Sequence, residues 1–141
     1  MRVWTWAVAA AAVAGCASPG DRQDRSLIEQ GRLYTTWLYG SQYDKLWDRF
    51  SPELQQTFGS VTDLASFAGR AVTRLGQEEG AVDERVEDAA PFQVYSRRAS
   101  FDKSRHRMLL EWSLAKDGEV TGLVLRPAPD SGTTAGSAAD R

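Results

Sequence analysis

The sequence is poor in the residue types that build most metal sites and covalent crosslinks. Its 141 residues include one cysteine and one histidine. A structural zinc site takes its four ligands mainly from these two residue types, so the composition supports no metal site and we expect no cofactor. One cysteine cannot form a disulfide within the chain, so the stability of the fold must come from an apolar core. We expect His106, which stands between Arg105 and Arg107, to be an exposed residue at a strand end.

The sequence also lacks an excess of positive charge. Lys and Arg total 17 against 19 Asp and Glu, which gives a formal net charge of −2. Proteins that bind nucleic acids carry a basic stripe or patch, so we expect no nucleic-acid partner. Basic residues are concentrated only at Arg97-Arg98 and, shortly afterwards, at Lys103, Arg105 and Arg107. We interpret this group as the solvated rim of a hairpin.

Motifs that identify a reaction are missing as well. No glycine-rich phosphate-binding loop occurs, and no serine lies in a nucleophile-elbow motif. Asp44, Asp48 and Glu53 are close in sequence, and paired carboxylates can act as general acid and base. Acidic residues are also common at helix starts and on solvated helix faces, so we assign no catalytic residue.

What the sequence does contain is a processing signal at its amino end. Met1-Arg2 supplies a positive charge, and residues 3–14 form an apolar run that is too short to cross a bilayer core, which needs about 20 residues. The following segment, Val13-Ala14-Gly15-Cys16, resembles a bacterial lipobox. The resemblance implies that residues 1–15 are a signal peptide and that Cys16 is lipidated, which would anchor the chain to a membrane without spanning it.

The segment after the cysteine bears on the location of the protein. Bacterial lipoproteins without aspartate after the lipidated cysteine usually reach the outer membrane, and here that residue is Ala17. We therefore expect a cell-envelope protein on the periplasmic face of the outer membrane. Residues 16–25 contain Ser18-Pro19-Gly20 and no apolar periodicity, so we interpret them as the lipidated cysteine and an unfolded tether.

The spacing of apolar residues then predicts three helices. The first begins near Ser26 and ends at Gly40, with Leu27, Tyr34 and Leu38 on one face. A second, short helix follows from Tyr43 to Phe50, and a helical turn restarts at Ser51-Pro52-Glu53, where serine is a favourable N-cap. The third begins after Ser60 and ends at Gly76, with its apolar stripe at Leu64, Phe67, Ala71 and Leu75.

After Gly80 the pattern changes to the alternation of an antiparallel sheet. The clearest signal is Asp117-Gly118, which favours a two-residue type I′ hairpin turn. That turn pairs Leu114 with Thr121, Trp112 with Leu123 and Leu110 with Leu125, and places all six side chains on the face that packs against the helices. Glu111, Val120, Val124 and Arg126 then occupy the opposite face. Residues 128–141 are small and polar, and we expect a disordered tail.

Together these elements resemble a known superfamily. Helices followed by a curved antiparallel sheet are similar to the cystatin-like α+β cone of NTF2-like proteins. Three segments carry a closer likeness to the DUF3887-type branch: the first helix with Leu33-Tyr34 and Trp37, the run from Leu46 to Leu54, and the ending from Asp117 to Pro127. The resemblance implies an α+β single domain over residues 26–127 with a scaffold that relatives use for binding or for catalysis, so it does not decide the function.

Two functional hypotheses follow. The first is a non-catalytic binding or interaction module. It uses either the mouth of the cone or the outer sheet face, formed by Glu111, Val120, Val124 and Arg126, to hold an envelope protein, a second copy of itself or a small envelope ligand. The second is a small enzyme of the isomerase or dehydratase type, or a small-ligand carrier, with a cavity lined by Tyr34, Trp37 and Trp112. Aromatic residues at helical spacing are also typical of a core. A cavity with a buried ionisable group would favour chemistry, whereas a filled cone would favour the first hypothesis.

Overall fold

The computed structural model describes residues 18–129. The predicted signal peptide, Cys16 and residues 130–141 of the predicted tail lie outside the described residues. The described chain folds into a layer of helices on one face of an antiparallel sheet. Its elements, in chain order, are α1 (Pro19–Tyr39), α2 (Tyr43–Trp47), α3 (Pro52–Phe58), α4 (Val61–Leu75), β1 (Glu78–Ala89), β2 (Phe92–Phe101), β3 (Met108–Leu114) and β4 (Val120–Pro127).

The four strands follow one another in the order β1-β2-β3-β4, and each pairs antiparallel with its neighbour. This confirms the expected α+β class. The prediction of three helices was wrong, because the turn that restarts at Ser51 continues into α3 and makes four helices in the described part of the chain. The Oγ atom of Ser51 accepts a hydrogen bond from the backbone N–H of Leu54, and Ser60 caps α4 in the same way through Asp63, as expected.

The start of α1 also differs from the prediction. This helix begins at Pro19 and not near Ser26, so most of the segment predicted as an unfolded tether is helical. Its start has Ser18 at the N-cap, proline in the first turn and Asp21 two residues later, which are favourable at a helix N-terminus. The first turns of α1 are exposed and bury no apolar side chain, so no periodicity marked them in the sequence.

The core lies between the helices and the inner face of the sheet. Trp112, Tyr95 and Leu114 from the sheet are fully buried, as are Leu46 and Leu64 from the helices. Full burial of each large apolar side chain contributes roughly 1.5 to 3 kcal/mol, so this layer holds the two parts together. A smaller cluster, formed by Leu75, Ala99 and Phe101, closes the end of the sheet near the end of α4.

Close contact between α1 and the sheet depends on one glycine. Gly31 faces the ring of Tyr95, and a Cβ atom at position 31 would lie 2.3 Å from that ring. No side chain fits in this space, so the helix can approach the sheet only with glycine here.

The β3–β4 hairpin differs in detail from the prediction. Trp112 pairs with Leu123 and Leu110 with Leu125, as expected, but Leu114 pairs with Val120 because a register shift follows Ser113. The loop has three residues, since Ala115 N–H donates to the carbonyl of Glu119 and Gly118 N–H to that of Ala115. Gly118 adopts a positive φ of 85° and Asp117 does not, so the turn is not type I′.

The register shift turns Val120 inward. Its N–H donates to the carbonyl of Arg49 at 2.7 Å, and its carbonyl accepts from the N–H of Ser51 at 2.8 Å. These bonds form a short parallel bridge between Val120 and Phe50, and both side chains are buried. Val120 therefore belongs to the core. Its predicted place on the outer sheet face was wrong, because that prediction assumed a hairpin without a bulge.

Candidate functional site

The three aromatic residues predicted to line a cavity are close together but do not surround a deep one. The ring of Tyr34 lies 5.7 Å from that of Trp37 and 5.9 Å from that of Trp112. Trp112 is completely buried, and its Nε1 donates a 3.0 Å hydrogen bond to Oγ1 of Thr35. Together with Leu110, which is 2 % exposed, Trp112 fills the space between α1 and the sheet.

Tyr34 and Trp37 do border a small surface cavity of about 170 Å³ beside the β3–β4 loop. The hydroxyl of Tyr34 donates a 2.8 Å hydrogen bond to the carbonyl of Gly118, and burial raises the pKa of this phenol. A tyrosine held in this way stabilises the loop as a neutral donor.

The outer sheet face carries the remaining three of the residues predicted for an interaction surface. Val124 is exposed, and Arg126 lies 3.7 Å from the half-buried carboxylate of Glu111. Ser96 also donates a 3.4 Å hydrogen bond to Glu111. These contacts form a mixed polar surface that is ordinary for a solvated sheet face.

A polar cluster on the opposite, helix-facing side is the most organised group of charges in the described chain. At its centre is Glu84 of β1, whose side chain is 14 % exposed. Arg32 of α1 binds this carboxylate through Nε at 3.1 Å and Nη2 at 2.7 Å. Arg97 of β2 donates through Nη1 at 2.6 Å, and the hydroxyl of Tyr95 donates to the same carboxylate oxygen. The carboxylate is therefore saturated with donors from three side chains.

Arg97 extends this cluster to the beginning of β1. Its guanidinium forms a two-bond contact with Glu78, with Nε 3.2 Å from Oε2 and Nη2 bonded to Oε1. Only 16 % of the Arg97 side chain is exposed. The prediction that Arg97 lies on a solvated hairpin rim was therefore wrong. Side chains alternate along β2, so Arg97 points toward α1 and Arg98 toward the other face of the sheet.

The cluster holds its groups in fixed protonation states. Hydrogen bonds from Arg32, then those from Tyr95 and the charge of Arg97, lower the pKa of Glu84 to about 2 despite the opposing effect of burial. Burial and the hydrogen bond to Glu84 raise the pKa of Tyr95 to about 12. The contact with Glu78 raises the pKa of Arg97 further above its usual value. At neutral pH these groups are a carboxylate, a neutral phenol and a guanidinium.

The cluster forms one wall of an open cavity of about 460 Å³ between α1 and β1, which we call the α1–β1 cavity. Thr35, Thr36 and Tyr39 line it from the helix, and Glu78 and Ala81 line it from the strand. Burial, followed by the nearby charge of Glu78, raises the pKa of Tyr39. The volume is in the range of small-molecule sites, about 300–1,000 Å³, and the polar lining suits a polar ligand.

The other acidic and basic candidates remain apart from this cavity. Asp44, Asp48 and Glu53 are exposed at the ends of α2 and α3, and His106 is exposed in the β2–β3 connection. Within residues 18–129, no three side chains of His, Cys, Asp or Glu converge in a way that could hold a metal ion. No helix in that same range is long and apolar enough to span a membrane.

Sequence reasoning missed the α1–β1 cavity because its residues come from three separate elements. One signal was present: Arg97 lies two residues from both Tyr95 and Ala99, which are buried on the inner face of β2, and Glu84 is its partner in β1. Their pairing depends on the register of β1 with β2, and two register shifts in that ladder prevent its derivation from spacing.

Comparison of this chain with protein-family models, with curated proteins and with solved structures finds no match. The likeness to NTF2-like domains therefore rests on the sequence motifs described above.

Proposed function

We propose that this chain is a lipid-anchored protein of the bacterial cell envelope whose α+β domain binds a partner or a small polar ligand without transforming it. The anchor is Cys16, and the residue after it, Ala17, favours the periplasmic face of the outer membrane. The domain is of the NTF2-like, DUF3887-type class, which is supported by the order of helices followed by an antiparallel sheet.

The observation that carries the non-catalytic part of this proposal is the saturation of Glu84. A general acid or base works best when its pKa lies near the operating pH. Glu84 has a pKa of about 2, and Tyr95 has a pKa of about 12. Both are also committed to hydrogen bonds within the protein, so neither supplies a proton-transfer group to the α1–β1 cavity.

The same cavity is suited to binding. Arg32 remains 58 % exposed while it pairs with Glu84, so part of its guanidinium faces solvent. Tyr39 adds a neutral phenol, and Thr36 adds a hydroxyl that donates to the carbonyl of Arg32 and can still accept a hydrogen bond. Two arginines and two glutamates balance in charge, which favours a ligand that is neutral or zwitterionic over a highly charged one.

The alternative is an enzyme or carrier that uses an interior cavity of the cone. It receives less support, because Trp112 and Leu110 fill the interior that such a site would occupy. A sheet-face interaction with an envelope protein or a second copy remains a further form of the binding hypothesis, with Val124, Arg126 and Glu111 on the surface.

A pair of neighbouring substitutions tests the binding site. Ala81→Trp places an indole in the α1–β1 cavity, whereas Val82→Trp adds the same ring at an exposed adjacent position that does not line it. The purified protein is incubated with a small-molecule extract of the cell envelope and followed by native mass spectrometry. We expect a bound molecule of constant mass in the parent and in Val82→Trp, and its loss in Ala81→Trp.

Two results would contradict the proposal. Conversion of the bound molecule to a product, abolished by Ala81→Trp, would show an enzyme. Equal binding by both variants would place the ligand elsewhere on the domain.

A further inference from the structure

The tip of the β1–β2 hairpin is the most apolar exposed turn of the described chain. Ala89, Ala90, Pro91 and Phe92 are consecutive, and all four are exposed. Phe92 keeps 40 % of its surface accessible. A run of four exposed apolar residues at a turn is unfavourable in water unless it serves a function, since turns are normally polar.

This tip lies at the same end of the domain as the beginning of α1. Gln23 of α1 donates a 3.5 Å hydrogen bond to Gln93, the residue after Phe92. Gly20 and Gln23 also border, with Pro91 and Phe92, an open groove between the first turns of α1 and the hairpin. Lys116 of the β3–β4 loop borders the groove as well, so three chain segments meet at this end.

The position of α1 sets how far this end can be from the lipid. Because α1 begins at Pro19, only Ala17 and Ser18 lie between its start and Cys16. The three residue steps from Cys16 to Pro19 span at most about 11 Å, which is much less than a long tether would allow. If Cys16 is lipidated, as the proposed function holds, the first turn of α1 is held at the membrane surface.

We propose that the Ala89–Phe92 tip is a second membrane contact, in which Phe92 enters the interfacial region of the bilayer that holds the Cys16 lipid. The inference rests on the proposed lipid anchor. Phenylalanine is one of the apolar side chains that membrane-surface segments bury at the boundary between headgroups and acyl chains. The anchor keeps the tip at high local concentration near the bilayer, so a weak contact suffices. The two contacts together fix the orientation of the domain and direct the opposite end, where α4 meets β1, away from the membrane.

The charges around the tip indicate an apolar contact and not an electrostatic one. Asp24 and Asp88 border the same groove as Lys116, so these side chains carry no net positive charge. Attraction to anionic lipids requires a cluster of basic residues. We therefore expect the contact to be the same in vesicles of phosphatidylcholine alone and in vesicles that also contain phosphatidylglycerol.

A depth measurement tests this contact in the full chain, expressed with its own signal and reconstituted into vesicles. Phe92→Cys introduces a thiol at the tip for an environment-sensitive fluorophore, while a lipidated Cys16 does not react with the dye. Val82→Cys is the matched control, because Val82 is also an exposed apolar residue of β1 and lies about 23 Å along the strand from Ala89. Pro91→Cys provides a second tip position if Phe92→Cys does not fold.

We expect nitroxide-labelled lipid to quench the dye at position 92 severalfold more strongly than the dye at position 82, and aqueous iodide to show the reverse order. Equal quenching at both positions, in a chain whose Cys16 is lipidated by mass, would overturn this inference and leave the anchor intact. Labelling of Cys16 itself by the dye would instead contradict the anchor and hence the proposed function. A difference that appears only with phosphatidylglycerol would overturn the apolar nature of the contact.

Discussion

Replacement of Glu84 by glutamine is the sharpest test of the polar cluster between α1 and the sheet. The change keeps the size of the side chain and one carbonyl acceptor but removes the negative charge that Arg32, Arg97 and Tyr95 share. A hydrogen bond to a charged group contributes about 1.5–3 kcal/mol, whereas the pair with the solvent-exposed Arg32 is screened by water and contributes less. Since glutamine retains part of the bonding, we expect the free energy of unfolding to fall by about 2 kcal/mol at pH 7.

The pH dependence of this loss follows from the lowered pKa. The pKa of Glu84 is about 2 in the folded chain and 4.5 as its ordinary value, so its contribution is fully present above pH 4.5. It is lost as the pH falls toward 2, because the folded chain must then take up the proton that the unfolded chain already holds. The stability difference between the parent and Glu84→Gln should therefore shrink steadily between pH 4.5 and 2.

The assay is urea unfolding, followed by tryptophan fluorescence, of the Cys16→Ser chain across this pH range. Glu87→Gln is the matched control on the same strand, since Glu87 pairs with Arg85 at the surface with more than half of each side chain exposed. We expect that control to change stability by about 0.5 kcal/mol or less. A Glu84→Gln effect no larger than the control, or one that does not depend on pH, would refute the account of the cluster.

Three further predictions concern the core and the anchor. Trp112→Ala should lower the free energy of unfolding by about 3–5 kcal/mol in the same assay, and a loss below about 1 kcal/mol would contradict its place in the core. Gly31→Ala should destabilise, because the collision with Tyr95 costs about 1–3 kcal/mol or more and outweighs a helix-propensity gain of about 1 kcal/mol, whereas Gly69→Ala in open space in α4 should stabilise. The same sign for both glycine variants would refute the close contact. Cys16→Ser should leave the domain folded and move it from the membrane fraction to the supernatant, and its retention in the membrane would contradict the lipid anchor.

The elements with strong local signals were predictable from the sequence. The serine caps at Ser51 and Ser60, the apolar face of α1 and the pairing of Trp112 with Leu123 all follow from residues close in sequence or from simple alternation. The beginning of α1 was missed because its first turns are solvated and have no apolar stripe. There, the capping residues Ser18 and Pro19 were a better guide than periodicity.

The features that depend on tertiary contact were not predictable. The burial of Val120 depends on its bridge to Phe50, which is far away in sequence, and on one extra residue in β4. The cluster at Glu84 likewise needs the register of β1 and β2 and the approach of α1 through Gly31. A shift of one residue in either strand would move these side chains to the other face, so spacing alone cannot bring them together.

The central claim, a membrane-anchored binding protein, is tested most directly by native mass spectrometry of the chain after gentle extraction from its own membranes. We predict a mature chain that begins at Cys16, carries the mass of a diacylglyceryl group and an acyl chain, and holds a partner protein or a small molecule in a fixed ratio. A chain that still contains residues 1–15, or one with an unmodified Cys16 thiol, would contradict the anchor. A lipidated chain that carries neither a partner nor a ligand would contradict the binding function.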